Sequence, residues 1–314
     1  MRTRWLALAM GLLAGTSAAA TNELTLDIRE AQGELILRWD GRPLLVYAFA
    51  TNQFKPYVRE LYTLRGENVL LDAPADHLHH HGLMYAIRVN GVNFWEENDA
   101  PGVQKPVRIT AHQVMQPPGG VPRARFTQLI HWLAPTNRPG ARTVAGEPRP
   151  LLIEQRTLTL SVNAARGEVA LQWDAEFAIG EEPVTLHGQN YNGLGLRPIR
   201  SFNGVARFEN SERAPYPPPG QHASIPARWT SMTGKAGDRD VTLALMAGAA
   251  NPGESRFFTM LEPFAYLSAT QGLHREPLEY KPGDRYHLRY LLVLWSEAQS
   301  AETVQARYNA WSEK

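Results

Sequence analysis

Apolar and polar side chains alternate one for one along most of this chain, which is the period of strands with one buried face. Leu24, Leu26 and Ile28 alternate with polar residues, and Leu35, Leu37 and Trp39 do so again after the turn Ala31-Gln32-Gly33. Further strands are predicted over Pro43–Ala48, Leu83–Val89, Arg108–Met115, Arg125–Leu133, Leu151–Val162, Glu168–Ala178, Val241–Met246, Arg256–Leu261 and Tyr286–Trp295. No helical period separates them, so the predicted fold class is all-β: antiparallel sheets packed face to face as a β-sandwich, without βαβ winding. Only the tail reads as a helix. Ser296 and Gln299 have capping-box spacing, and Val304, Tyr308 and Trp311 share one face that should pack on the sandwich.

Residues 1–20 have the form of a secretory signal: Arg2 and Arg4, an apolar run from Trp5 to Gly15, then Ala18-Ala19-Ala20. Export to the periplasm or beyond is therefore expected, with residues 21–314 forming a single sandwich domain. No later run approaches the about 18 consecutive apolar residues of a membrane span. The chain carries 32 Lys+Arg against 31 Asp+Glu, and loss of Arg2 and Arg4 with the leader tips the balance just negative. So even a balance does not suit a nucleic-acid backbone or an anionic membrane surface. With no cysteine there is neither a disulfide nor a thiolate nucleophile, and a chain of this length buries enough apolar surface without covalent staples. The Pro/Gly-rich stretches at 116–123, 135–150 and 210–226 read as surface loops, because the strand pattern resumes beyond each.

Four of the ten histidines fall at His77, His79, His80 and His81, beside Asp76. Dense titratable groups mark functional sites, and neutral imidazoles serve as proton shuttles, hydrogen-bond donors or metal ligands. If this segment is extended, His77, His79 and His81 lie on one side and His80 on the other. His-x-His is a ligand spacing, so a divalent transition metal held with Asp76 or Glu96 is one reading, although no further ligand is identifiable from spacing.

Other candidates follow from strand parity. Glu154 and Arg156 share a face with Leu158, Leu160 and Val162, as expected if that strand runs from core into a cleft or into solvent. Gln172, Asp174 and Glu176 form a polar face that is either solvated or a ladder for hydroxyl groups. Trp95 follows the turn sequence Asn90-Gly91-Val92-Asn93, which would set an aromatic face next to a loop, with Glu96 and Glu97 on the same rim. His187 and Asn190 lie among tight-turning glycines, with Arg197 nearby to orient a ligand.

Two resemblances accompany these residues. Lys55-Pro56-Tyr57, Arg59, Leu61-Tyr62, the Asp76–His80 core and Val89–Trp95 are similar to the N-terminal half of the PmoA-like family of bacterial proteins. Gly193–Pro198, the Trp229 region, Ala250-Asn251-Pro252 and Leu288–Val293 extend the likeness over nearly the whole mature chain. It implies an exported β-rich protein associated with carbohydrate breakdown, and not an integral membrane oxygenase subunit. The segment Leu186–Asn192 is similar to one found in galactose mutarotase-like supersandwiches, where a histidine protonates the sugar ring oxygen. Together they imply a carbohydrate or other small-molecule ligand; no cofactor is expected apart from the divalent transition metal that the histidine cluster could hold. On this reading one of His77, His79 or His80, its tautomer set by Asp76, moves a proton on a sugar, as in lyase, epimerase or glycosidase chemistry. Lys55, Arg59 or Arg156 would stabilise the developing oxyanion, with Tyr57, Trp95, Glu154, His187, Asn190 and Arg197 also contacting substrate. The alternatives are a metal-dependent oxygenase or hydrolase and a non-catalytic sugar-binding protein.

Overall fold

The structure is a computed structural model that describes residues 22–136, 143–144, 147–216 and 222–313. The expected leader at 1–20 lies outside the described residues, as do parts of two of the predicted loops. Within them the strands form sheets of nine, eight, four and two, and every pairing is antiparallel.

The first hairpin pairs Leu24–Arg29 with Glu34–Trp39 in the register that the alternation requires, Leu24 opposite Trp39 and Ile28 opposite Leu35. Gly33 turns it with φ +64, and a Cβ there would lie 2.3 Å from the Ala50 backbone. Arg42–Ala48, Tyr57–Leu61 and Leu83–Ala86 extend this sheet, followed by Gly193–Leu196, Tyr266–Thr270, Arg256–Met260 and His222–Pro226.

The eight-stranded sheet faces it and contains the long strands Pro150–Asn163, Glu168–Ile179 and Arg285–Trp295. Aromatic rings from both sheets meet between them: Tyr47 lies 5.0 Å from Phe126 and Tyr85 5.9 Å from Trp132, centroid to centroid. Val169, Leu171, Trp173 and Phe177 point into this core, as their parity predicts.

The predicted strand Leu83–Val89 is broken. Leu83–Ala86 belongs to the nine-stranded sheet, whereas Arg88–Val89 leaves it for the four-stranded sheet and hairpins back through Asn90 and Gly91. Both turn residues have positive φ, the geometry for which Asn-Gly is suited.

The helix spans Ala301–Ser312 and is capped by Ser300, whose side chain accepts from the Thr303 N–H, and not by the predicted Ser296 box. Its buried face is the expected one: Val304, Tyr308 and Trp311 pack on Trp229, Met246, Leu291, Val293 and Trp295, each contributing on the order of 2 kcal/mol. This covers part of the outer face of the eight-stranded sheet. The Trp311 indole donates to Gln172 at 3.1 Å, and Gln172 donates to Asp174 at 2.6 Å. Gln172 and Asp174, on the face read as either solvated or a ladder for hydroxyl groups, are thus linked to the helix.

Candidate active site

The histidine segment is not extended. The His77 N–H bonds the Pro74 carbonyl at 2.8 Å, the His80 N–H bonds the His77 carbonyl at 3.0 Å, and the Ala73 N–H closes the loop on the His80 carbonyl. Successive turns abolish the two-residue period, so the expected arrangement of His77, His79 and His81 on one side does not form. Instead His77, His79 and His80 gather, with ring centroids 4.7 Å apart for His77–His80, 4.6 Å for His79–His80 and 5.7 Å for His77–His79. Among the described residues no three His, Asp or Glu side chains are arranged to hold a metal ion.

These three imidazoles border a cleft of about 470 Å³ on the face of the nine-stranded sheet turned away from the core. Register builds its floor: Tyr266, Ser268 and Gly195 share one side of neighbouring strands, with Phe258 opposite Ser268 and His222 opposite Met260. Gly195 is required there, because a Cβ would lie 1.8 Å from the Tyr266 hydroxyl and 2.8 Å from the Trp95 ring. Tyr266 and Trp95 line the cleft, but their hydroxyl and Nε1 are buried and have no hydrogen-bond partner among the described residues. Phe264, Glu96, Asn190 and Tyr191 complete the walls.

Asp76 does not orient a histidine as directly as expected. It lies 3.5 Å from the His77 Nδ1, but its main partner is Arg197, which donates to Asp76 at 2.8 Å and reaches the His80 Nδ1 at 3.3 Å. Arg197 is almost wholly buried, with its guanidinium carbon 3.6 Å from the Phe264 ring centre. Burial holds its pKa below the ordinary arginine value although Asp76 opposes this.

Burial, together with the neighbouring His79, His77 and Arg197, pushes His80 down to about 2. His80 is therefore neutral, and because its Nδ1 accepts from Arg197, its Nε2 carries the proton and is a donor. Burial and Lys55 also lower His79. Burial alone would raise Glu96, but bonds from Asn93, its own backbone and Tyr191, aided by Arg88, keep it below the usual carboxylate range and ionised. The Tyr191 hydroxyl donates to Glu96 at 3.0 Å and is pushed up to about 12 by burial and that charge.

The remaining predicted residues divide. Asn190 borders the cleft, whereas His187 accepts the Gly91 N–H at 2.9 Å, pinning the Asn90-Gly91 turn outside the lining. Trp95, expected to offer an aromatic face, is fully buried, and Tyr191 is the partly exposed ring. Lys55 and Tyr57 belong to a separate buried cluster behind the loop. There His81 bonds Asp72 at 2.7 Å and Glu97 at 3.0 Å, Lys55 donates to Glu97 at 2.5 Å, and the Tyr57 ring stacks on His81 at 4.1 Å. Arg59 pairs with Glu34 at 2.7 Å along the sheet.

Glu154 and Arg156 are a correction, because both are fully buried between the sheets and absent from the cleft lining. Arg156 grips Glu154 with two nitrogens at 2.7 and 2.9 Å, donates to the Pro56 carbonyl at 2.8 Å, and stacks on Trp173. The change from apolar to charged along their strand is a buried ion pair and not a strand end. His222, Phe258, Phe264 and Tyr266 escaped the sequence reading, and only the general enrichment of aromatics at ligand sites pointed to them.

In fold, the chain is similar to a GH36 α-galactosidase, AgaB, from Geobacillus stearothermophilus, with a TM-score of 0.51 at 9% identity over 87% of this chain and 41% of that one. A putative aldose 1-epimerase from Klebsiella pneumoniae subsp. pneumoniae aligns with a TM-score of 0.43 at 9% identity, over 90% of this chain and 82% of that one. At such identities the AgaB likeness bears on fold alone, and the chain spans about two fifths of that enzyme's length. It agrees with the predicted antiparallel sandwich. No curated protein matches the chain in sequence, and the PmoA-like resemblance has no counterpart among these matches. A family match extends over residues 34–309, and by it the chain belongs to DUF6807, a family of unknown function.

Proposed function

We propose that the protein is a carbohydrate-active enzyme that binds a sugar in the histidine-lined cleft and moves a proton on it. One observation carries the reading: His77, His79 and His80 converge with Glu96 on one cleft lined by the aromatic residues Trp95, Tyr191, Phe258, Phe264 and Tyr266. Sugars present both hydroxyls and apolar ring faces, and such a cleft is complementary to both. The sugar-related names of the structures sharing the fold agree with this choice but do not carry it.

Roles follow from protonation. His80, neutral and donating through Nε2, supplies a hydrogen bond to a sugar oxygen, and its position is held by Arg197. His79 borders the cleft, is partly exposed and is kept neutral by burial and Lys55, so it has a lone pair available as general base. A proton taken from a sugar carbon or hydroxyl by His79 and returned from the resulting imidazolium suits elimination, epimerisation or glycoside cleavage alike. Arg2, Arg4, the apolar run and Ala18-Ala19-Ala20 support export, with residues 21–314 as one domain acting outside the cytoplasm.

The test is His79→Ala assayed for binding and turnover on a panel of glycosides, oligosaccharides and keto-sugars. Turnover should fall by about 10²-fold or more at saturating substrate while affinity changes little. A sugar ligand bound with no turnover by the wild type would leave a binding protein, and activity abolished by chelator and restored by metal would overturn the proton-transfer role.

A further inference from the structure

We propose that the cleft selects an uncharged sugar and rejects the corresponding uronate; this rests on the carbohydrate reading above and adds the substrate's charge class. The cleft's charge pattern carries the argument. Among the described residues, no lysine or arginine lines it, and Glu96 is its only carboxylate. Three cations lie nearby, and each is already engaged: Lys55 with Glu97 at 2.5 Å, Arg197 with Asp76 at 2.8 Å, and Arg88 with Glu96 at 3.7 Å. Lys55 and Arg197 are each only 1% exposed, so neither can swing out to meet an incoming anion.

His80 is neutral and presents a single N–H. A ligand carboxylate would therefore enter a partly desolvated site that offers no free counter-charge and already holds one carboxylate, and like charges there repel strongly. Hydroxyl groups meet the opposite situation. Glu96 and the Asn190 carbonyl accept from them, His80 donates to them, and the partly exposed Tyr191 ring covers an apolar sugar face. A cleft of about 470 Å³ lies in the size range of small-molecule sites and takes a short saccharide.

The experiment is calorimetric titration of the full mature chain at pH 8, where ordinary imidazoles are neutral. The probes are matched pairs: methyl glucoside with methyl glucuronide, methyl galactoside with methyl galacturonide, and the disaccharides built from each. The neutral member should bind at least about tenfold more tightly than its carboxylate twin. Glu96→Gln should narrow that gap to about threefold or less, and Asn190→Asp, which adds a second carboxylate at a partly exposed wall position, should widen it. Circular dichroism of both variants checks that the fold is kept, and the opposite directions of change guard against a merely structural loss. A uronate that binds as tightly as its neutral twin, with both variants leaving the ratio unchanged, overturns the charge selection but leaves the carbohydrate reading standing. Failure of every pair to bind overturns the carbohydrate reading, and the inference with it.

Discussion

Arg197 and Asp76 form an ion pair at 2.8 Å in which the cation is buried and the carboxylate half exposed. Burial alone would raise the Asp76 carboxyl, yet the guanidinium overrides this and holds it below the usual range. The pair thus positions Arg197 against the His80 Nδ1. Asp76→Asn should leave the fold intact at a cost of about 1–2 kcal/mol, since Arg197 then keeps only a neutral partner. Turnover should fall more than affinity, because the His80 tautomer loosens, and the pH profile should shift with it. Equal losses in kcat and in binding, with an unchanged profile, would reduce the pair to a structural role.

Gly195 decides whether the cleft floor exists. Gly195→Ala drives a methyl group into the Tyr266 hydroxyl and the Trp95 ring, both packed among other side chains, so the ring system must shift. Overpacking of this kind costs about 1–3 kcal/mol. Urea denaturation should show that loss, and titration with any sugar ligand should show weakened binding. A variant with wild-type stability and affinity would contradict the geometry.

The Glu154–Arg156 pair predicts a different phenotype. Removing one partner leaves a buried charge unpaired, so Arg156→Met or Glu154→Gln should destabilise by about 3–5 kcal/mol. The double replacement by apolar residues of similar size should recover much of that loss. Neither change touches the cleft, so variants that remain folded at low temperature should keep their ligand affinity.

His81 and Glu97 set opposite limits on pH. Burial opposes charge on His81, but its bonds to Asp72 and Glu97 outweigh this and raise its pKa. Its contribution to stability is present below the unfolded histidine value and is lost as pH rises through the raised folded value. Burial likewise opposes charge on Glu97, yet His81 and Lys55 bring it down to about 2. Its contribution is present above the unfolded carboxylate value and is lost as pH falls toward 2. Both contributions are therefore complete between about pH 4.5 and 6.5. Urea midpoints measured across pH should fall on either side of that window. In His81→Gln the fall on the alkaline side, measured against wild type, should disappear.

The alternation of Leu24–Ile28 with Leu35–Trp39, the polar outer parity of the long strands and the apolar stripe of the helix were all readable, because each follows from one-sided burial. The density of histidines beside Asp76 was readable too, and three of the four border the cleft. Tertiary structure decided the rest. Gly193–Leu196 and Tyr266–Thr270 are buried at every position, so they carry no period to read, yet they form the middle of the sheet and the floor of the cleft. Two turns in the 74–80 loop, invisible to parity, sent His81 behind the loop and brought His77, His79 and His80 together in front of it. Glu154 and Arg156 share a parity that fits a cleft as well as a buried pair, and only the opposing sheet, with Pro56 and Tyr47 above them, distinguishes the two. Local sequence determined which faces must be buried, whereas the packing of distant strands determined what lies opposite each face, and therefore which titratable groups meet.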